Sequence, residues 1–361
     1  MALTVAQPNL TPELWDDNFF TSYVRNNQFS RYMGTTENAM IQVQEDLTKK
    51  RGDRVNFALV NDLTGAGITG NTLLEGAEEA LNSRSYEQII SFFRNGVVIH
   101  EWDEQKSVID LRNAAKPQLK TWALKKMRTD IINALQSING VLFATATEAQ
   151  RDAWLDDNFD RVLYGALASN TIATGGTVAY DSSASLITID NTADKLSKAV
   201  VSLARRKARL ASPSIRPLML EDGTEWYVMF AHSYAFRDLK ADMGTAWQNA
   251  EVRGKGNPLF NDGDIVWDGV IVREIPEWGV ISNGTINVAL NVLCGAQALA
   301  LAWGQRSTTR TEMRDYGALH GVAIQEIRGI GKMQFGKGTL DRDDLVDHGV
   351  FTVATAAVAD A

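Results

Sequence analysis

Across 361 residues the chain carries 44 Asp and Glu against 36 Lys and Arg, a net charge of −8, which argues against a protein whose whole surface grips nucleic acid. No run of about 18 consecutive apolar residues occurs, so no membrane-spanning helix is expected; the longest apolar stretch, Val288 to Trp303, is broken by Asn291, Gly295 and Gln297. The single cysteine, Cys294, rules out an internal disulfide and suits a buried position in a protein made in a reducing cytoplasm.

The opening MALTVAQPNLTPELW has no basic segment leading into a hydrophobic one, so no signal peptide is expected. Aromatics are scattered through residues 1–40: Trp15, Phe19, Phe20, Tyr23, Phe29 and Tyr32. On a weakly patterned arm they either pack on their own core or on a neighbouring molecule. From Ile41 the pattern alternates. Ile41 and Val43 share one face, and Val55, Phe57 and Leu59 share another. Gly52-Asp53 between them is turn chemistry, which predicts a hairpin or a closely related strand pair. Residues 62–85 have no periodicity and predict part of a long protruding loop with ends near residues 55 and 105. Such a loop is unusual in a compact monomer and points to a partner.

The clearest helix is predicted over residues 117–138. Leu119, Ala123, Met127, Ile131, Ala134 and Ile138 recur at helical spacing, Pro117 suits a first turn and Asn139-Gly140 a stop. A helix of that span is about 33 Å long. Its polar side carries Lys120, Lys125, Lys126 and Arg128. That side fits either a solvated face or one that meets DNA phosphates without sequence preference. A second helix is predicted from Thr192 to Leu210, capped by Thr192. Arg205, Arg206, Lys207 and Arg209 fall at its C-terminal end, where the helix dipole favours positive charge. Strands are expected at Trp226 to Phe230, Ile265 to Trp267 and Val270 to Glu274, with Asp268-Gly269 as a hairpin turn. Helical pattern returns between Ser233 and Asp242. Beyond Leu319, alternation at Val322, Ile324 and Ile327, then Met333 and Phe335, then Val350, Thr352 and Val353 predicts strands. These are expected to return to the sheet begun near residues 41–59, which would make 190–315 an insertion.

Motifs for chemistry are weak. Gly65, Gly67 and Gly70 fall in the spacing G-x-G-x-x-G. No alternating β/α series follows them, and the acidic Glu75, Glu78 and Glu79 just beyond would repel a pyrophosphate. Gly331 to Gly338 nearly matches a phosphate-binding loop, but Gly338 stands where Ser or Thr would hold magnesium, so a glycine-rich β-turn is expected. Asp341, Asp343, Asp344 and Asp347 lack the glycine and glutamate of a calcium loop and are expected as an acidic surface turn. The histidines His100, His232, His320 and His348 have no metal or catalytic spacing. No cofactor, metal or catalytic residue is therefore assigned.

Tyr32-Met33-Gly34, the strand-like stretch Ile41 to Leu59 and the segment Leu63 to Leu81 resemble the N-terminal third of major capsid proteins of tailed bacteriophages, in the N-four-like podophage branch. The resemblance is densest over about residues 30–81 and weakest over about 150–315. It implies the Hong Kong 97 capsid fold, an α+β architecture. Implied parts are an N-terminal arm (1–40), a peripheral domain with a long spine helix on a β-sheet (41–60, 106–189 and 316–361), an extended loop across a neighbour (61–105) and an axial domain (190–315). The implied role is structural and non-enzymatic: pentamers and hexamers closing into an icosahedral shell around double-stranded DNA, with portal and possible scaffolding or decoration proteins as partners. Gly65, Gly67 and Gly70 would then lie in an inter-subunit loop, and Lys120, Lys125, Lys126 and Arg128 would face packaged DNA. A lysine–asparagine crosslink known in some members has no identifiable pair here. The alternatives are an encapsulin-like shell around a protein cargo and a nucleotide-dependent enzyme.

Overall fold

The computed structural model describes residues 28–45, 52–60, 83–107, 111–166, 179–220, 223–244, 260–261, 264–337 and 344–360. The expected inter-subunit glycines Gly65, Gly67 and Gly70 lie outside the described residues, as do Asp341 and Asp343. The organising element is the helix Leu111–Leu135, 25 residues and about 37 Å long. One stripe of it is buried: Ala115, Leu119, Ala123, Met127, Ile131, Ala134 and Leu135. Pro117 lies inside the helix rather than in its first turn. Having no N–H, it cannot bond back to the preceding turn, and helical packing on the sheet overrides that loss. The helix ends three residues before the predicted stop. Asn139 and Gly140, both at positive φ, instead turn a short hairpin between Ser137–Ile138 and Val141–Leu142.

The helix covers one face of a five-stranded sheet. Its strand order is Met33–Gly34, Ile41–Gln44, Leu299–Arg314, Leu319–Lys332 and Ser91–His100. The two long strands pair antiparallel from Leu299↔Lys332 to Arg314↔Leu319, and Ser91–His100 pairs with the second of them from Arg328 to Leu319. Their far halves form a three-stranded arm. Ile41–Gln44 runs parallel to Leu299–Ala302. It does not pair with Arg54–Val60, so the predicted hairpin around Gly52-Asp53 is not formed. Arg54–Val60 pairs instead with Ser83–Ile89 in a separate two-stranded ribbon.

Two further expectations change. Within 61–105, taken as loop, Ser83–Ile89 and Ser91–His100 are strands and Glu101–Lys106 is a short helix. The expected boundary at 315/316 falls in the turn of the long hairpin, where Asp315, Tyr316 and Gly317 all have positive φ. Leu299–Arg314 therefore belongs with Leu319–Lys332, not with the segment before it. The reason is non-local: the first half of Leu299–Arg314 and the second half of Leu319–Lys332 are the buried ends, and they pair with each other.

A nine-stranded sheet forms the other layer. Its main path runs Phe260–Asn261, Asp264–Trp267, Val270–Glu274, Glu225–Ala231, Asn287–Cys294, Val350–Ala356, Val162–Tyr164. Val350–Ala356 thus lies in this sheet and not in the one with Ile41–Gln44, as alternation alone had implied. Asp268 and Gly269, at φ 47° and 69°, make the expected two-residue turn. Helices Lys198–Leu210 and Ser233–Met243 cover one face through Val200, Ala204, Phe236 and Leu239. The first begins at a Ser197 cap, five residues beyond the expected Thr192; Ser197 Oγ accepts from the Val200 N–H. The opposite face packs Phe230, Val292, Cys294 and Trp278 against the long helix in one shared core. A Cβ at Gly329 would stand 2.2 Å from the Ile89 carbonyl oxygen, so glycine there lets the ribbon base lie directly on the long hairpin. Val55, Phe57 and Leu59 of the ribbon complete that contact on Ala300, Ala302 and Phe335.

Candidate functional site

Enzyme-like features are absent where the motifs fall among the described residues. Gly331 and Lys332 end one strand and Gln334–Gly336 forms the next, so the phosphate-loop spacing spans two consecutive strands of different sheets rather than a glycine-rich turn. The Lys332 ammonium is buried on Asp347 at 3.0 Å and cannot serve a phosphate. Asp347 itself is 1% exposed, which corrects its expected place in a surface turn; its carboxylate is held inside by Lys332, Gln334 and Trp154. A cleft of about 450 Å³ opens between helix, ribbon and hairpin, lined among others by Tyr86, Asp130, Asn133, Ser137 and Arg328. Its charges are engaged: Arg328 pairs with Asp130 and Glu326, both at 2.7 Å, and Asp130 also takes Lys126. Burial pushes the Tyr86 phenol up to about 12, and its hydroxyl donates to Gln88. Glu148, Asp152 and Asp181 place carboxylate oxygens within 4.8 Å of one another, a spacing able to hold a cation. Asp152 and Asp181 already accept backbone N–H groups from Ser182 and Ala184.

The four residues expected to face DNA, Lys120, Lys125, Lys126 and Arg128, do not form one free face. Lys126 pairs with Asp130 at 2.7 Å and lies over the Phe93 ring. Arg128 pairs with Glu277 at 2.6 Å, tying the helix to the loop before Val280. Lys120 is half-buried and Lys125 exposed. Lys125→Ala with Lys126→Ala removes one half-exposed i,i+4 pair, and such pairs contribute about 0.3–0.5 kcal/mol. The double variant is expected to lower the urea-unfolding free energy by less than about 1 kcal/mol. A larger loss would mean that Lys126 is a structural anchor. Likewise Arg205 pairs with Asp268 and Arg209 with Glu225, so the basic end of the second helix is tied to its own sheet.

What the molecule does expose is apolar. At the far end of the three-stranded arm Val98 is 65% exposed, Trp102 59%, Met313 71%, and Tyr316 stands fully in solvent at the turn. Phe92 and Ile89 are exposed nearer the ribbon. Large apolar side chains gathered on one projection mark a contact surface. Sequence reading passed over them. The available signal was Met313 and Tyr316 within the otherwise polar TEMRDY.

The model of a family described as "Phage capsid protein" matches residues 7–359. The major capsid protein of Pseudomonas phage KPP25 is 28% identical over 372 residues, covering 95% of this chain and 94% of that protein. Among solved structures, the capsid asymmetric unit of cyanophage Pam1 superposes with a TM-score of 0.77 at 30% identity over 100% of both chains. The capsid of Ralstonia phage GP4 gives 0.73 at 24% identity, covering 93% and 92%. The architecture is the Hong Kong 97 type. A match across nearly the whole length, with the same fold behind it, leaves one assignment: the chain belongs to the phage capsid protein family.

Proposed function

We propose that many copies of this structural subunit form pentamers and hexamers that close an icosahedral shell around double-stranded DNA. The observation that carries the reading is the arm. It leaves Val98, Trp102, Met313 and Tyr316 in water, a cost that contact with neighbouring copies removes at about 25 cal/mol per Å² of apolar surface covered. Heterologous contacts of this kind close rings, and segments that cross between rings join them. The segment between Val60 and Ser83, carried on the ribbon, acts as the crossing loop, with Gly65, Gly67 and Gly70 within it. The proposed division keeps an N-terminal arm and an axial part on the nine-stranded sheet. The long hairpin, ribbon and long helix form the peripheral part. Lys120 and Lys125 supply weak, salt-sensitive contact with the genome. A portal, and scaffolding or decoration proteins, complete the particle, which forms in the host cytoplasm. No cofactor is needed.

Deleting residues 63–80 is expected to leave a folded, soluble subunit that forms no shells. Circular dichroism reads the fold, and size-exclusion chromatography with light scattering reads the particles. Shell formation by the deletion at normal yield would overturn the crossing-loop role. A wild-type protein that stays monomeric under every condition would overturn the reading as a whole.

A further inference from the structure

One edge of the arm carries no strand among the described residues. Ser91–His100 is the last strand of the five-stranded sheet, paired along its whole length with Leu319–Arg328 on one side only. Two bonds fix which way its backbone points. The Glu101 N–H donates to the Ala318 carbonyl at 2.8 Å, and the Gly96 N–H donates to the Asn95 side chain at 2.9 Å. Bonding direction alternates along an antiparallel strand. Odd-numbered residues therefore bond inward to the hairpin, while Phe92, Arg94, Gly96, Val98 and His100 turn N–H and C=O outward. An edge of this kind is a template for another strand unless it is short, charged, bulged or interrupted by proline. This one is 10 residues long, with no proline, an unbroken register and one charge, Arg94. It leaves Phe92 50%, Val97 37% and Val98 65% exposed.

We infer that this edge receives the same strand of a second copy, antiparallel, with Asn95 opposite its own counterpart. The inference rests on the shell reading above and places a two-fold contact within it. Symmetry selects the geometry. Two identical strands related by a two-fold axis pair antiparallel when that axis is perpendicular to the sheet. Paired residue numbers then have an even sum, and both long helices lie on the same side. A closed shell has two-fold axes normal to its wall and an inside unlike its outside, which this arrangement meets. With the axis at Asn95 paired numbers sum to 190, so Ser91 through Ile99 all find partners. Phe92 then meets Val98 and Phe93 meets Val97, aromatic on β-branched, which are favourable cross-strand pairs. Arg94 meets Gly96, so no like charges oppose each other. Moving the axis to Gly96 sets Arg94 against Val98 and Phe92 against His100 and loses both matches. In the Asn95 register the Gly96 N–H passes from the Asn95 side chain to the Arg94 carbonyl of the other copy. The chain's own N-terminal residues leave from Met33–Gly34, the opposite edge of the same sheet. A single strand pair is far smaller than the about 20–30 residues a side of a stable interface. The contact therefore forms in assembled particles, where other contacts hold both copies in place, and not between free subunits.

The test is Asn95→Cys in the full chain. Asn95 meets its counterpart in a non-hydrogen-bonded pair, where Cα atoms stand about 4.5 Å apart, within reach of a disulfide. Oxidised particles are expected to lose the monomer band to a disulfide-linked dimer, and free subunits to keep it; the native Cys294 is buried. Phe92→Cys is expected to stay monomeric, because its counterpart is 98 − 92 = 6 positions out of register, about 20 Å away. Val98→Pro removes an outward N–H and leaves the inward bonds in place. It is expected to keep the circular dichroism and unfolding midpoint of the free subunit, and to abolish the dimer when added to Asn95→Cys. Hydrogen exchange on the wild type covers any defect in the variants. The amides of Phe92, Arg94, Gly96 and Val98 are expected to slow about tenfold or more on assembly. Particles that form without the Asn95→Cys dimer would overturn the pairing and leave the shell reading standing. Equal dimer from Phe92→Cys, dimer that survives Val98→Pro, or unchanged exchange would overturn it too. Protection that vanishes when residues 1–27 are deleted, with particles still forming, would give the edge to the N-terminal segment and end the proposal. A wild-type protein that forms no particles would overturn both readings.

Discussion

Replacing Asp347 by Ala is expected to lower the unfolding free energy by about 3–5 kcal/mol, because it strands a buried cation. Lys332 and Asp347 have side chains only 3% and 2% exposed and meet at 3.0 Å. The same carboxylate accepts from Trp154 Nε1 at 3.2 Å and from Gln334 Nε2 at 2.7 Å. Around it, the Asp347 N–H donates to Asn158, and Arg161 donates to the carbonyls of Asp347 and His348. The knot joins the helix Glu148–Asn158, the end of the long hairpin and the strand before Val350–Ala356. A domain holds about 5–15 kcal/mol in total, so the loss takes a large share. The pair itself need not be a net gain, since desolvating two ions costs nearly what their attraction returns. Lys332→Met with Asp347→Leu is therefore expected to recover much of the loss. The coupling is read from a double-mutant cycle by urea unfolding. A cost below about 1 kcal/mol for Asp347→Ala would show that water reaches the site and screens Lys332.

That knot also marks where sequence reading stops. Lys332 and Asp347 sit in a run of glycines and aspartates that resembles surface turns. Nothing local distinguishes a buried pair 15 positions apart from two solvated charges. Elements governed by nearby residues were legible. Leu119, Ala123, Met127 and Ile131 announce the long helix by their spacing, and Asp268-Gly269 announces its hairpin by the positive φ it must adopt. Leu299–Arg314 was not. Its first five residues are buried on both faces and its last five exposed on both, so neither end alternates as a strand should. Ser91–His100 was absorbed into a loop for a related reason. Its order in the sheet depends on a partner more than 200 residues away. The exposed arm residues followed the same rule. In one chain they look like misplaced hydrophobic residues, and the reading proposed above assigns their cover to another copy.

Acid is expected to loosen the subunit through His348. The ring is 5% exposed and stands edge-on to Phe335 at 5.1 Å. Burial, with the nearby Arg161 and Arg216 charges, pushes its pKa down from 6.5 to about 4. The sign follows from proton binding. Between those two values the unfolded chain holds a proton on this histidine and the folded chain does not, so falling pH favours unfolding. The contribution is fully present above pH 6.5 and is lost progressively down to about pH 4, where the folded form protonates as well. A gap of that size corresponds to about 3 kcal/mol. Asp157 opposes it. Burial and the neighbouring Asp344 and Asp156 raise its pKa to about 6, so the folded state binds the extra proton there. Its stability contribution grows as pH falls through 6 and is muted by its partial exposure to solvent. Comparing wild type with His348→Phe by urea unfolding from pH 7 to pH 4 isolates the histidine, because Asp157 is common to both. The difference in unfolding free energy is expected to move by about 3 kcal/mol in favour of the variant across that range. A difference that stays constant with pH would mean the imidazole is hydrated in the folded subunit and titrates as it does when unfolded.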